Sequence, residues 1–230
     1  MKFETLRELN AERAARRPVI LVTDTGSGEQ RLVKAQDIAA DPLRADLAKQ
    51  LRMGKSAMIE ADGKKMFLNV YAPTARLVIV GAVHISQALA PLARSLDYDV
   101  TVVDPRTAFA SPERFPDVPL IAEWPDVALP PLNVDHYTAF VALTHDPKID
   151  DPALLHAFER DCFYIGALGS RKTHAKRFER LKAQGAKDSD IARIHAPIGL
   201  SIGALSPSEI AVAIMAEITA QLRLPKESAA

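Results

Sequence analysis

A single cysteine, Cys162, stands among 230 residues, so no disulfide can form within the chain and the sequence suits a reducing cytoplasm. Net charge is missing too, because 29 Lys and Arg balance 29 Asp and Glu. That removes the basic footprint of a nucleic-acid binder and weakens any electrostatic attachment to a membrane. No apolar run reaches the ~18 residues that a membrane span needs, and residues 1–18 lack the apolar centre of a secretory leader. Six histidines are scattered without the i, i+4 or cysteine-paired spacing of a metal site. Internal repeats and low-complexity tracts are absent as well. What is there is 48% hydrophobic residues, sufficient for an ordinary globular core.

The pattern changes once along the chain. Residues 1–72 read as a small α+β domain. It has a helix over 6–17 ended by Pro18, a buried strand over 19–23 and a turn over 24–28. A second helix runs from Asp41 to about residue 53 and stops at Gly54. A hairpin then pairs 56–61 with 64–71 around Asp62-Gly63, a dipeptide suited to a tight turn. Pro73 marks a boundary. Beyond it strands at 77–80, 100–103, 139–143 and 163–165 alternate with helices at 84–96, 151–160, 171–184, 188–194 and 206–222. Residues 105–133 hold seven prolines and read as a long irregular connection. The alternation predicts a Rossmann-like doubly wound parallel sheet over 76–222, followed by a tail over 223–230.

Ligands of such sheets bind beyond the carboxyl ends of the strands, and three ends here are polar. The first, Gly81-Ala82-Val83-His84-Ile85-Ser86, stands where a Gly-x-Gly-x-x-Gly phosphate loop would, with Asp104 placed 23 residues after Gly81 to grip a ribose. Val83 replaces the second glycine, and its two methyls fill the space a pyrophosphate needs. Gly81 can equally be a strand-to-helix turn, and Asp104 a turn residue before Pro105. The second end is Thr144-His145-Asp146-Pro147, either an acid–base pair or turn chemistry. The third runs from Gly166 through Gly169, with Ser170 as N-cap and Arg171 and Lys172 in the first helical turn. Cations at the positive end of a helix dipole destabilise it unless an anion sits between them, so this end reads as an anion site. Arg180 and Lys182 read as a solvated basic face. Farther on, Ser206-Pro207-Ser208-Glu209 is a capping box, which gives Glu209 a structural task. His195-Ala196-Pro197 reads as a rigid loop, and Cys162 as a small hydrophobe.

These stretches together resemble one family. Residues 76–222 are similar to the C-terminal domain of the XdhC/CoxI family through LVIVGAVH at 77–84, Val103-Asp104-Pro105-Arg106, Arg114-Phe115-Pro116 and Thr144-His145-Asp146-Pro147. YIGALGSRK at 164–172, HAPIGL at 195–200 and Pro207-Ser208-Glu209-Ile210 complete the likeness. The resemblance implies a maturation factor for a molybdenum hydroxylase such as xanthine or carbon monoxide dehydrogenase. Such a factor binds the molybdenum cofactor transiently, supports its sulfuration and passes it to the apoenzyme, with a cysteine desulfurase as a further partner. Two features depart from the family: Val83 stands where a second glycine is usual, and residues 25–31 keep only a Gly-Ser and an arginine of its N-terminal motif. The candidate cofactor-binding residues are Gly81, His84, Asp104, Arg106, Thr144, His145, Asp146, Gly166, Gly169, Ser170, Arg171, Lys172 and Glu209, with no catalytic set and no metal ligand. Two alternatives stay open. One is an NAD(P)-dependent oxidoreductase using Gly81, Asp104 and His145, and the other is a nucleotide-sensing regulatory module. A homodimer is expected from the prevalence of that assembly.

Overall fold

The computed structural model describes residues 1–225, which fall principally into two compact units, residues 1–73 and residues 74–222. The first contains α1 (Phe3–Ala14), β1 (Val19–Asp24), β2 (Gln30–Lys34), a 3-10 turn (Ala35–Ala40), α2 (Arg44–Met53), β3 (Ala57–Ala61) and β4 (Lys64–Tyr71). Its strands form an antiparallel sheet in the order β2-β1-β4-β3. The apolar β1 lies inside the sheet, and Leu47 of α2 closes a small core over Ile20, Val22, Val33 and Leu68. α1 ends three residues before the end of the expected 6–17 helix. Arg17 precedes a proline, which disfavours helical backbone, and Arg16 turns the chain at φ 53°. The strand β2 lies outside the sequence expectations, since it is an edge strand with only Val33 buried.

The second unit contains β5 (Arg76–Val80), α3 (His84–Ser95), β6 (Asp99–Val103), β7 (Leu120–Ile121), α4 (Pro125–Ala128), β8 (Thr138–Ala142) and α5 (Pro147–Glu159). It continues with β9 (Tyr164–Ala167), α6 (Arg171–Ala183), α7 (Asp188–Ile191), β10 (Ile194–His195) and α8 (Pro207–Arg223). All six strands are parallel, in the order β10-β9-β8-β5-β6-β7. Successive side chains of a strand point to opposite faces, so Leu77 and Ile79 pack with Leu89 and Ile214 while Val78 and Val80 pack with Ile149 and Leu181. Both faces are covered, as the unbroken apolar runs predict.

Four expectations need correction here. The proline-rich stretch 105–133 is not wholly irregular, because it holds β7, α4 and a 3-10 turn (Pro130–Leu132), all too short to show periodicity. α5 begins at Pro147 rather than at 151, capped by Asp146, whose carboxylate accepts the Lys148 N–H at 2.9 Å. The expected rigid loop at 195–197 begins with a strand residue, His195 of β10, for two residues give no pattern. The expected tail over 223–230 begins one residue late, since Arg223 closes α8; residues 226–230 lie outside the described part.

The chain leaves β5 for β6 and β7 on one side, then returns to β8 and winds outward through β9 and β10 on the other. The winding therefore reverses between β5 and β8, where open α/β sheets place their ligands.

Candidate functional site

At the end of β5 the backbone turns at Gly81 with φ 118°. A β-carbon there would meet the Thr144 methyl at 2.9 Å and the Thr144 amide nitrogen at 3.1 Å. Gly81 thus allows the ends of β5 and β8 to approach closely. The loop that follows is satisfied from within the protein. Asp104, fully buried, accepts the Ala82 N–H at 2.7 Å, and its other oxygen accepts the Arg106 N–H at 2.9 Å. The Arg106 guanidinium grips both carboxylate oxygens at 2.9 and 2.7 Å. Burial pushes the Asp104 carboxyl up, but the Arg106 and Ala82 hydrogen bonds outweigh it and hold it below the ordinary carboxylate range. Ser86, in the place of a third glycine, returns its hydroxyl to the Gly81 carbonyl, and Val83 packs partly against the core. His84 opens α3 with its side chain exposed.

The end of β8 is organised around Asp150, a residue not singled out by the sequence reading. It is 1% exposed and lies in the first turn of α5. One of its oxygens accepts the Thr144 hydroxyl at 2.6 Å and the Thr144 N–H at 3.2 Å, and the other accepts the His145 N–H at 3.1 Å. These bonds hold His145 in the left-handed region at φ 63°. Burial pushes the Asp150 carboxyl above its ordinary value, opposed by Thr144 and by the charge of Arg177.

The end of β9 differs from the expected glycine-rich turn. Gly166 lies within the strand, paired with Val141 and His195, and is not a turn donor. A β-carbon there would meet Ile198 at 2.5 Å and the Tyr164 ring at 2.8 Å, so this glycine serves packing. Gly169 and Ser170 do lead into α6, and the Ser170 hydroxyl accepts the Thr173 N–H as an N-cap. Between α5 and α6 opens a cavity of about 280 Å³, lined by His145, Asp150, Lys172, Lys176, Arg177 and Arg180 among others. Arg171 is exposed outside that lining, so Lys172 is the one of the two expected cations that reaches it. Arg180 is more than part of a solvated face, because it is half-buried, lines the cavity and grips Asp151 at 2.6 and 3.0 Å. Lys182 does pair on the surface, with Asp188 at 3.0 Å.

Thr144, His145, Asp146, Asp150 and Lys172 are thus brought to one end of the sheet, and Arg106 senses the charges of Asp146 and Asp150. Glu209 is not at the cavity: its carboxylate accepts the Leu205 and Ser206 N–H groups at 2.9 and 2.8 Å at the start of α8. Sequence reasoning also missed Glu217, which accepts from the Tyr164 hydroxyl at 2.6 Å and the Gly199 N–H at 2.8 Å, and meets His195 Nδ1 at 3.1 Å. The signal was present, since Glu217 is the only charged residue between Ile210 and Leu222. Cys162 is buried, and burial pushes its thiol up to about 12. We expect thiol reagents at neutral pH to leave the native protein unmodified and to label it only after denaturation. Rapid labelling of the native protein would show that the thiol is open to solvent.

A doubly wound α/β unit with a cation-lined cavity beside its switch point is the class these features define. Residues 77–218 match the family model described as the XdhC Rossmann domain, and the chain belongs to the XdhC family. It is 34% identical over 154 residues to a Bacillus subtilis protein named as a probable xanthine dehydrogenase component. To the Escherichia coli molybdenum cofactor insertion chaperone PaoD it is 32% identical over 157 residues, and to Escherichia coli YqeB 33% over 155. The matches take in 66 to 68% of this chain but only 28 to 44% of those relatives' lengths. A solved Bacillus halodurans structure described as a xanthine dehydrogenase shares the fold with a TM-score of 0.66 at 24% identity, over 99% of this chain and 66% of that one. Among the described residues, no helix is long and apolar enough to cross a membrane.

Proposed function

We propose that this protein is a maturation factor for a molybdenum hydroxylase of the xanthine or carbon monoxide dehydrogenase type. It holds the molybdenum cofactor, presents it for sulfuration and passes it to the apoenzyme. The observation that carries this reading is the cation-lined cavity between α5 and α6 in a chain of the XdhC family. The relative named as an insertion chaperone supports it.

The donor set suits one end of such a cofactor. A molybdopterin bears a phosphate, and lysines and arginines are its natural partners. About 280 Å³ is at the small edge of ligand sites, room for a phosphate end but not for a whole pterin. The ring system and metal would then stay outside, within reach of a client protein. When bound, the cofactor supplies the redox chemistry of the client; this chain's residues hold and orient it. Gly169, Ser170 and Arg171 flank the seat at the start of α6, and His145 stands at its β8 side. The single thiol is buried, so the sulfur comes from a partner, a cysteine desulfurase.

The oxidoreductase alternative has less support. The Ala82 N–H that would approach a pyrophosphate already donates to Asp104, and both Asp104 oxygens are engaged by Arg106. In a strain lacking this protein, we expect the client apoenzyme to accumulate at its normal level with little activity and little bound molybdenum. Full client activity in that strain would remove the maturation reading.

A further inference from the structure

The cavity between α5 and α6 has an unbalanced charge at its floor. Arg177 is 1% exposed, and a guanidinium cannot shed its proton inside a protein. Its Nη2 donates to the Leu168 carbonyl at 2.9 Å, but Nε and Nη1 are buried with no hydrogen-bond partner among the described residues. The nearest carboxylate, Asp150, stands 3.6 Å from Nη2, beyond hydrogen-bond length, and both its oxygens already accept from Thr144 and His145. Asp151 acts on Arg177 through its charge but gives it no hydrogen bond, since Arg180 holds both its oxygens. On the wall above, neither Lys172 nor Lys176 forms an ion pair among the described residues. Four cations therefore line this cavity, against Asp150 in the lining and Asp151, which Arg180 already holds, so positive charge is in excess. A buried charge left so weakly compensated is costly, and leaving it charged demands a counter-ion.

We propose that this cavity is a seat for a phosphomonoester dianion, with Arg177 as its buried counter-charge and Lys172 and Lys176 as its direct donors. The anion acts on Arg177 mainly through the field, because Nε and Nη1 are closed to solvent. Arg177 is buried, so its part of the attraction is screened less by salt than that of the exposed lysines. The start of α6 adds the positive end of its dipole to the same side. This places the anion deeper than a site on Arg171 and the helix edge would. The identity of the natural ligand, the phosphate of a pterin cofactor, rests on the maturation reading; the seat itself does not.

Inorganic phosphate is the first probe. It should raise the melting temperature of the full-length protein more than chloride at equal ionic strength. The Lys172→Ala/Lys176→Ala double variant, both positions being exposed, should fold and bind phosphate about tenfold or more weakly, as expected for losing charge-assisted hydrogen bonds. Lys182→Ala removes a cation from the same helix outside the cavity and should bind as the wild type does. Arg177→Met should lose the phosphate effect; if it fails to fold, the lysine pair still decides. No phosphate stabilisation of the wild type, or equal affinity in the double variant, would overturn the seat.

Molybdenum content of wild type and double variant, purified from a molybdenum-replete host, tests the ligand's source. Lower content in the double variant supports a cofactor phosphate. Equal content with weakened phosphate binding overturns the link to the cofactor. Phosphate binding without client activation supports the seat and removes the maturation reading.

Discussion

Replacing Asp150 by alanine is expected to destabilise the Rossmann unit by about 3–5 kcal/mol, the cost of breaking a buried ion pair by removing one partner. The loss is large because three donors converge on that carboxylate, the Thr144 hydroxyl and the Thr144 and His145 N–H groups, with Arg177 behind them. Alanine leaves Arg177 without its nearest counter-charge and frees His145 from its left-handed turn. Urea unfolding at neutral pH, with an unchanged slope, would read this directly. A loss under about 1 kcal/mol would mean that Arg177 is compensated elsewhere, since exposed pairs are worth that little. Asn at the same position should cost less, because it keeps one acceptor for Thr144.

Asp104→Ala is the second large effect, about 3 kcal/mol, because it leaves the Ala82 N–H and the Arg106 guanidinium without their acceptor. Here the pH dependence discriminates. Burial raises the Asp104 carboxyl, yet the hydrogen bonds from Arg106 and Ala82 prevail and depress it in the folded state. A depressed folded-state value means the stability is fully present above the unfolded-state value, about 4. It is lost as pH falls through the folded-state value. Asp150 has the opposite sign: burial raises it, so the titration-linked part of its contribution is largest below the unfolded-state value and is lost as pH rises through the folded-state one, while the bonds from Thr144 and His145 persist. Urea midpoints of wild type and Asp104→Asn should therefore differ most at neutral pH and converge in acid. A constant gap down to about pH 2, well below the ordinary carboxylate value, would mean that Asp104 does not titrate with folding.

The outline of the fold was legible because its signals are periodic. The run from Leu77 to Val80 announces a strand buried on both faces, and the Asp62-Gly63 turn fixes a hairpin register. Edge pieces escape for the converse reason: β2 buries one side chain and β10 has two residues. The strand ends are legible as places but not as chemistry. Thr144 to Asp146 stand out by composition, yet the group that organises them, Asp150, stands just before the helix read at 151–160 and joins it only because α5 starts at Pro147. Arg177 reads as one more cation on a basic helix. Its position four residues before the buried Leu181 puts it on the inner face, which the phase of α6 reveals once that helix is known to be packed on one side. Gly166 misleads because a glycine after a strand usually marks a turn, whereas here Ile198 and the Tyr164 ring leave no room for a β-carbon.

Glu217 bears on the order in which this chain can be completed. Its carboxylate gathers groups from β9, from β10 and from Gly199, positions up to 53 residues earlier in the chain. Until residue 217 has emerged from the ribosome, the Tyr164 hydroxyl and the Gly199 N–H lack their acceptor, and the β10 side of the sheet lacks its fastening. The inner strands β5, β6 and β8 find their hydrogen-bonding partners earlier, although one of their faces still waits for Ile214 and Ile218 of α8. Vectorial synthesis would therefore pair the strands at the switch point before it fastens the β10 edge. The unpaired edge beyond β9, a template for pairing with another chain, would stand open during that interval.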